Sequence, residues 1–282
     1  MANKGIAIII PGADFSRSSF GKVTLTPTLD EEVAAIVSRY TTAIGSSTYT
    51  QELKTLVKTL ISANAWEGLD IYPMLGSSIE TAKVNLNPTN GLLKANLLFG
   101  DNALSFTDNG VVFEKMANAG GNLPERTTKL ISANDVGGLF FACDAVRTSG
   151  VTGTTRLYAQ VIQILSSSSG YYMGFGPTVA SSTSSILSSA KATSRHLWAF
   201  GIDADPKCNI YLDGAFDKAS PAMTFGSFNL INVVGSSPSG TDASSSWGGT
   251  CYLWVAGKID PSKHQAVVSA IKTFMDAVKP RS

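Results

Sequence analysis

The chain has few charged residues and few of the side chains that enzymes use for catalysis. Of its 282 residues only 15% are charged, with 22 basic and 21 acidic side chains, and there are 2 histidines and 3 cysteines. A nucleic-acid-binding protein needs an excess of Lys and Arg to displace counterions from the phosphates, so a net charge of +1 argues against that class. The scarcity of His and Cys leaves little material for a metalloenzyme or a catalytic triad.

Disulfides and long apolar runs are lacking as well. Cys143, Cys208 and Cys251 lie far apart, each in an apolar or strand-like stretch, so we expect buried, reduced thiols. The apolar run at residues 6–10 is shorter than a signal-peptide core and is followed at once by Pro11. No window approaches the length of a membrane span. We therefore expect a soluble chain, made in the cytoplasm without a signal peptide and not inserted into a membrane.

Helical patterns occupy both ends of the chain. Thr28 and Glu31 have the spacing of a capping box, and an apolar stripe follows them. Residues 48–51 repeat that spacing before a second stripe, which predicts a helical hairpin across a Gly-Ser-Ser turn. The Asp-Pro pair at 260–261 predicts the start of a C-terminal helix. Because these stripes lie outside the β region, we expect them to need a partner, which is either the sandwich itself or a neighbouring subunit. We favour the second alternative and hence expect a homo-oligomer.

The middle of the chain has the pattern of a β protein. From Trp66 onward, about ten short runs of β-branched and aromatic residues are separated by Gly, Ser, Asn or Pro, with no helix between them. This pattern predicts a mainly β fold, an antiparallel β-sandwich or jelly roll, with an N-terminal strand at residues 5–10. We expect a docking segment with the helical hairpin at 1–65, the sandwich at 66–259 and the helix at 260–282.

The acidic residues do not form the pair that a glycoside hydrolase needs. A retaining enzyme of that class places two carboxylates about 5–5.5 Å apart, which alternate positions of one strand provide. Glu67 and Asp70 are three residues apart and straddle a glycine, and the other candidates are isolated: Glu114, Glu125 and Asp135. We therefore predict no catalytic residue and no enzymatic activity.

One segment is a candidate for binding Ca²⁺. Asp203, Asp205 and Asn209 offer oxygen ligands at a loop-like spacing. The alternative is a plain hairpin turn, since Pro206 and Lys207 intervene and such segments commonly turn hairpins. No other cofactor is expected.

Aromatic residues provide the sequence signal for sugar binding. Flat rings stack on the apolar faces of pyranoses, and Tyr171, Tyr172 and Trp247 lie beside Ser/Gly-rich stretches. Core packing between sheets is the alternative for each of them. Trp247, with serines before it and glycines after it, is the best single candidate for a surface contact.

Several short strings, taken in order, resemble one known group of proteins. They are IIIPGADFS (8–16), GKVT (21–24), NAWEGLDIYPMLG (64–76), KVNLNP (83–88), NIYLDG (209–214) and YLWVAGKIDPSKHQAVVSAIKTFMDAV (252–278). This order resembles structural proteins of tailed bacteriophages of gut bacteria that carry a concanavalin-A-like, laminin-G-type jelly roll. The positions that serve as fold markers in the resemblance are Asp14, Trp66, Tyr72, Pro73, Asn85, Asp213 and Gly214. The Asp-Gly pair at 213–214 also predicts, from its residue types, a hairpin turn with positive φ.

The resemblance implies a virion subunit, such as a head fibre, tail fibre or decoration protein, that is not an enzyme. Its implied partners are further copies of itself, other virion proteins and glycans of the host surface or mucosa. Where a typical member has Gly-Gly after the Tyr-Pro pair, this chain has Leu75-Gly76-Ser77-Ser78. The alternatives are a stand-alone carbohydrate-binding protein and, less favoured, a glycoside hydrolase of the same fold.

Overall fold

The computed structural model describes most of the chain after residue 26. The described ranges are 27–100, 103–107, 110–114, 129–148, 155–156, 162–167, 170–175, 185–187, 194–205, 207–230, 233–235 and 247–279. The predicted strand at 5–10, the marker Asp14 and Glu125 lie outside them.

These ranges contain four α-helices and sixteen β-strands. The helices are α1 (Leu29–Ile44), α2 (Thr50–Ser62), α3 (Ile79–Ala82) and α4 (His264–Val278). The strands up to the middle of the chain are β1 (Leu69–Tyr72), β2 (Leu98–Phe99), β3 (Ala103–Thr107), β4 (Gly110–Phe113), β5 (Lys129–Ile131), β6 (Leu139–Arg147), β7 (Thr155–Arg156) and β8 (Ile162–Ser167). The remainder are β9 (Gly170–Phe175), β10 (Ser185–Leu187), β11 (His196–Ile202), β12 (Cys208–Leu212), β13 (Ala215–Ala219), β14 (Phe228–Leu230), β15 (Val233–Val234) and β16 (Gly249–Lys258).

Local sequence signals fix the ends of two helices as predicted. The Thr28 hydroxyl accepts from the Glu31 N–H at 3.3 Å while the Glu31 carboxylate accepts from the Thr28 N–H at 2.8 Å, which is the predicted capping box. Gly45 ends α1 with φ 67°, a left-handed value that glycine adopts without strain. Asp260 accepts from the Ser262 N–H at 2.9 Å and opens a 3₁₀ turn that leads into α4.

The second predicted capping box is wrong. α2 begins at Thr50, after Tyr49, and no side chain caps it. The Ser46 and Thr48 hydroxyls lie 3.2 Å from each other, so the Thr48 side chain is bonded within the turn before the helix. A serine or threonine near a helix start also bonds readily within its own turn, which is the interaction that occurs at this position.

An eight-stranded antiparallel sheet organises the fold. Its order is β13-β12-β11-β6-β16-β4-β3, and β1 pairs with the second half of β16 beside β4. A β-bulge at Tyr252 shifts the register between β16 and β6. β7 to β10 form a separate four-stranded antiparallel sheet. The prediction of a mainly β, antiparallel sandwich with a helical hairpin and a C-terminal helix is confirmed.

Side chains alternate between the two faces of the large sheet, as strand geometry requires. On β6, Phe141 and Cys143 contribute to the core on the face that β2, β5, β14 and β15 cover. Phe140 and Ala142 contribute to a second core, on the face where α1, α2 and α4 lie. Two hydrophobic cores therefore share one central sheet. The three cysteines are buried and free, as predicted.

The apolar stripes of the helices find their partner within the same chain. Val37 of α1, Leu56 of α2 and Ile271 of α4 are buried in the core that also contains Val255 of β16. The expectation that these stripes need another subunit is therefore wrong, and the homo-oligomer stays a prediction without this support. Among the described residues, no helix combines the length and the hydropathy needed to cross a bilayer.

Candidate functional site

The structure does not place Trp247 at the surface. Its side chain is 0% exposed, and its ring lies 5.6 Å from the Phe113 ring, between centroids. The backbone N–H of Trp247 donates to the Gly235 carbonyl oxygen at 3.0 Å. A Cβ on Gly249 would collide with the indole, so that glycine makes room for it. The expected sugar contact through Trp247 is wrong, and core packing explains the residue.

A core role for Trp247 has a measurable consequence. Trp247→Phe is expected to lower the free energy of unfolding by about 1–2 kcal/mol, because the smaller ring leaves a cavity against Phe113. Chemical denaturation followed by circular dichroism measures this. The control is Phe216→Leu, since Phe216 is 56% exposed, and its effect should stay within about 0.5 kcal/mol. Equal stability of Trp247→Phe and the wild type would contradict the core position.

The two tyrosines of the predicted sugar platform lie in β9. Tyr171 pairs with Ser166 and Tyr172 with Leu165 of β8. Their side chains lie outside the described part of the structure. Sugar binding through this pair stays a prediction.

The segment considered for Ca²⁺ forms the turn between β11 and β12. The Asp203 N–H donates to the Lys207 carbonyl oxygen at 2.9 Å, while Asn209 lies in β12 opposite Gly201. Asp205 is exposed at the tip. Within the described ranges, no group of three or more His, Cys, Asp and Glu side chains is placed to hold a metal ion. The geometry fits the hairpin turn, and calcium binding stays a prediction.

Most described marker residues of the resemblance are buried and structural. Trp66, Tyr72, Pro73 and Asn85 have little or no exposure. The Tyr72 hydroxyl donates to the Ala95 carbonyl oxygen at 2.7 Å. The hairpin markers Asp213 and Gly214 both have positive φ, 50° and 94°, as the predicted tight turn requires.

A buried carboxylate ties the loop at residues 83–97 to β1. Asp70 is 0% exposed and accepts hydrogen bonds from the Leu93 N–H at 2.7 Å, the Lys94 N–H at 3.0 Å and the Asn85 amide at 2.7 Å. A Cβ on Gly91 would collide with this carboxylate. Burial raises the pKa of Asp70, and the hydrogen bonds from Leu93 and Asn85 oppose that rise.

Asn85 completes this network. Its carbonyl oxygen accepts from the Ile71 N–H at 3.1 Å and the Asn87 N–H at 2.9 Å. The Asn87 amide in turn donates to the carbonyl oxygens of Trp66 and Leu69, both at 2.9 Å. Buried polar groups are tolerated when they are satisfied in this way. The carboxylate and the amides therefore act as structural ties and are not exposed to a substrate.

A second buried polar cluster lies on the helix-covered face of the sheet. Arg195 donates from Nε to Asp144 Oδ1 at 2.6 Å and from a terminal nitrogen to Oδ2 at 3.2 Å. Asp144 is 0% exposed and the Arg195 side chain is 16% exposed. The guanidinium carbon also lies 4.0 Å from the centroid of the Tyr252 ring, a cation–π geometry.

Lys279, directly after α4, extends this cluster. It is 4% exposed, and its Nζ donates to the Met74 carbonyl oxygen at 3.1 Å and the Tyr252 carbonyl oxygen at 3.3 Å. Nζ lies 5.8 Å from the Tyr252 ring centroid. Burial lowers the pKa of Lys279 to about 8. Sequence reasoning missed this residue, because its partners lie up to 205 positions away.

His196 and Asp213 form a half-buried pair. His196 Nδ1 lies 2.5 Å from Asp213 Oδ2, and Asp213 Oδ1 accepts from the Leu197 N–H at 3.0 Å. The imidazole packs edge-on against Trp198, with 5.3 Å between centroids. Residue spacing gave no sign of this pair, which the register of β11 and β12 creates. Through these two contacts, Asp213 connects the hairpin turn to the start of β11.

A shallow groove of about 330 Å³ lies between α2 and α4. Small side chains line much of it, among them Ala266, Ala270 and Ala277. Among the described residues, Glu52 is the one ionisable side chain in its lining. A groove of this composition lacks the pair of titratable groups that acid–base chemistry needs.

Comparisons with known proteins identify no family. No protein-family model matches the chain, and no curated protein sequence matches it. Similarity is found only among solved structures. A sialidase of Trypanosoma rangeli, in complex with 2,3-difluorosialic acid, aligns with a TM-score of 0.45 and 10% identity over 81% of this chain. The chain spans 40% of the length of that sialidase.

Two other structural neighbours are parts of larger proteins. Domain 4 of AbnA, a GH43 extracellular arabinanase from Geobacillus stearothermophilus in complex with arabinotriose, has a TM-score of 0.41 and 16% identity over 72% of this chain and 98% of that domain. The binding domain of Paraclostridial Mosquitocidal Protein 1 has a TM-score of 0.37 and 10% identity over 73% of this chain and 51% of that domain. At these TM-scores and identities, no activity or ligand is transferred to this chain.

Proposed function

We propose that this chain is a non-enzymatic structural subunit of a tailed-bacteriophage particle, a head fibre, tail fibre or decoration protein that contacts the host surface. The ordered strings that resemble such proteins support this proposal, because the described ones fold into one connected scaffold. β1, from the string at 64–76, pairs with β16, from the closing string, in the register Leu69 to Gly257. The remaining described strings attach to that pair.

The two other described strings attach through side chains. The string at 83–88 supplies Asn85, which binds Asp70 of β1 at 2.7 Å. The hairpin at 209–214 docks on α4, where the Gln265 amide donates to the Gly214 carbonyl oxygen at 2.6 Å. These strings therefore build the framework of the fold. We expect subunits whose task is assembly to share such a framework with their relatives.

The buried ionisable groups fit the same role. Asp70 is held by backbone N–H groups and an amide, and Asp144 is held by Arg195. A general acid or base must reach the proton that it transfers, so a fully buried carboxylate with these partners is unsuited to that task. This arrangement favours a structural subunit over a glycoside hydrolase.

Purified particles of the phage that encodes the chain test the proposal. Mass spectrometry of particles banded in a density gradient should find the chain, and antibodies raised against the purified protein should label the particle surface in electron micrographs. The same antibodies, pre-absorbed with the protein, are the control. Recovery of the chain only in the soluble lysate, or release of reducing sugar from a polysaccharide that a carboxylate variant abolishes, would contradict the proposal.

A further inference from the structure

A cavity of about 300 Å³ lies beside Lys279. Its lining comes from the end of α1, the turn into α2, α2 itself, the segment after β1, β3 and the residue after α4. Polar groups at its rim include Ser46, Thr48 and Tyr49, and Lys279 lies in its wall together with Met74. A volume at the lower end of the range of ligand sites fits a molecule the size of one sugar ring.

Lys279 brings a buried positive charge to this cavity. Two of its three N–H bonds reach backbone carbonyl oxygens, those of Met74 and Tyr252. In the described part of the chain no carboxylate lies within ion-pair distance of Nζ, and no third acceptor binds it. Asp144, the carboxylate of this cluster, is held by Arg195 through two bonds. Lys279 is therefore the cation of this cluster that has no carboxylate partner among the described residues.

A buried ammonium without a carboxylate partner is unfavourable, because its desolvation is only partly offset by neutral acceptors. Burial and nearby Arg195 lower the pKa of Lys279, whereas Asp144 and Cys251 act in the opposite direction. With a pKa of about 8, the amine is still mostly charged at pH 7. An anion in the cavity would supply the missing charge.

The rim offers hydrogen bonds to the remainder of such a ligand. The Ser46 side chain is half-buried, and its hydroxyl bonds the Thr48 hydroxyl at 3.2 Å and accepts from the Thr48 N–H at 3.4 Å. A serine hydroxyl can make three hydrogen bonds, so one is left for a ligand. α2 begins at Thr50, and the residue before it, Tyr49, provides no side-chain cap; the positive end of a helix dipole favours an anion. The acidic residue of its first turn, Glu52, lines the groove towards α4 instead.

We propose that this cavity binds the carboxylate of a small organic acid, either a hexuronic acid unit of a glycan or a free carboxylic acid. The carboxylate lies against the Lys279 ammonium, and a sugar hydroxyl binds the Ser46 side chain. The proposal does not depend on the particle role, since it follows from the charge and shape of the cavity.

Calorimetric titration of the full chain with D-glucuronate, acetate and D-glucose tests the binding. Glucuronate should bind, and glucose, which lacks the carboxylate, should bind at least tenfold more weakly. Acetate binding as tight as glucuronate identifies a free carboxylic acid as the ligand class, whereas much weaker acetate binding identifies a uronic acid. No heat of binding with either acid at millimolar concentrations would overturn the proposal.

Two pairs of variants locate the site. Lys279→Met should weaken glucuronate binding at least tenfold, whereas Lys272→Met, at a half-buried lysine of α4 that pairs with Asp276, should leave the affinity within twofold. Thr48→Glu and Thr48→Gln are matched in size at an exposed position, so both should fold. The glutamate should weaken binding about tenfold by charge repulsion and the glutamine less than twofold. Equal affinities within either pair would overturn the assignment of the site.

Discussion

Replacing Asp70 with alanine is expected to lower the free energy of unfolding by about 4 kcal/mol, because three buried donors lose their acceptor at roughly 1–3 kcal/mol each. Those donors are the N–H groups of Leu93 and Lys94 and the amide of Asn85. Asp70→Asn should cost about half as much, since it keeps one acceptor oxygen but turns an NH₂ group towards the same donors. Denaturant titration monitored by circular dichroism measures both changes.

Asp30→Ala is the matched control for Asp70→Ala. The Asp30 side chain is 76% exposed and is paired with Lys58, also exposed, at 2.7 Å. Its removal should cost less than about 1 kcal/mol. If Asp70→Ala lowered the free energy of unfolding no more than Asp30→Ala, the loop at 83–97 would not depend on this carboxylate. The structural role assigned to Asn85 would then be wrong as well.

Local patterns predicted the parts of the fold that are decided locally. The capping box at Thr28 and Glu31 formed because both partners lie within one turn of helix. The tight turn at Asp213 and Gly214 formed because few residue types accept two consecutive positive φ values. The second box at residues 48–51 failed because a competing hydrogen bond within the turn uses the Thr48 hydroxyl.

Long-range packing explains what the sequence could not predict. The serines and glycines around Trp247 are typical of an exposed loop, yet Phe113, more than a hundred positions away, buries the indole. Arg195 and Asp144 are 51 positions apart and meet because β11 pairs with β6. Residue spacing carries no information about the register of paired strands. The sequence therefore predicted neither of the two buried polar clusters.

The Asp144 cluster gives the second large effect. Asp144→Ala is expected to lower the free energy of unfolding by about 3–5 kcal/mol, because the Arg195 guanidinium is left largely buried without its carboxylate. The double variant Asp144→Ala/Arg195→Met should recover much of this loss, since it removes the second charge as well. A double-mutant cycle should therefore give a coupling energy of about 2–3 kcal/mol.

Two further measurements distinguish the buried Asp144–Arg195 pair from an exposed ion pair. The same cycle on Asp30 and Lys58, whose side chains are 76% and 52% exposed, should give less than about 1 kcal/mol. Because the Asp144 carboxylate raises the pKa of Lys279, its removal should move that pKa below about 8, which NMR titration of the lysine side chain measures. A coupling energy no larger than that of the surface pair, with an unchanged Lys279 pKa, would mean that the charges on the helix-covered face do not act together.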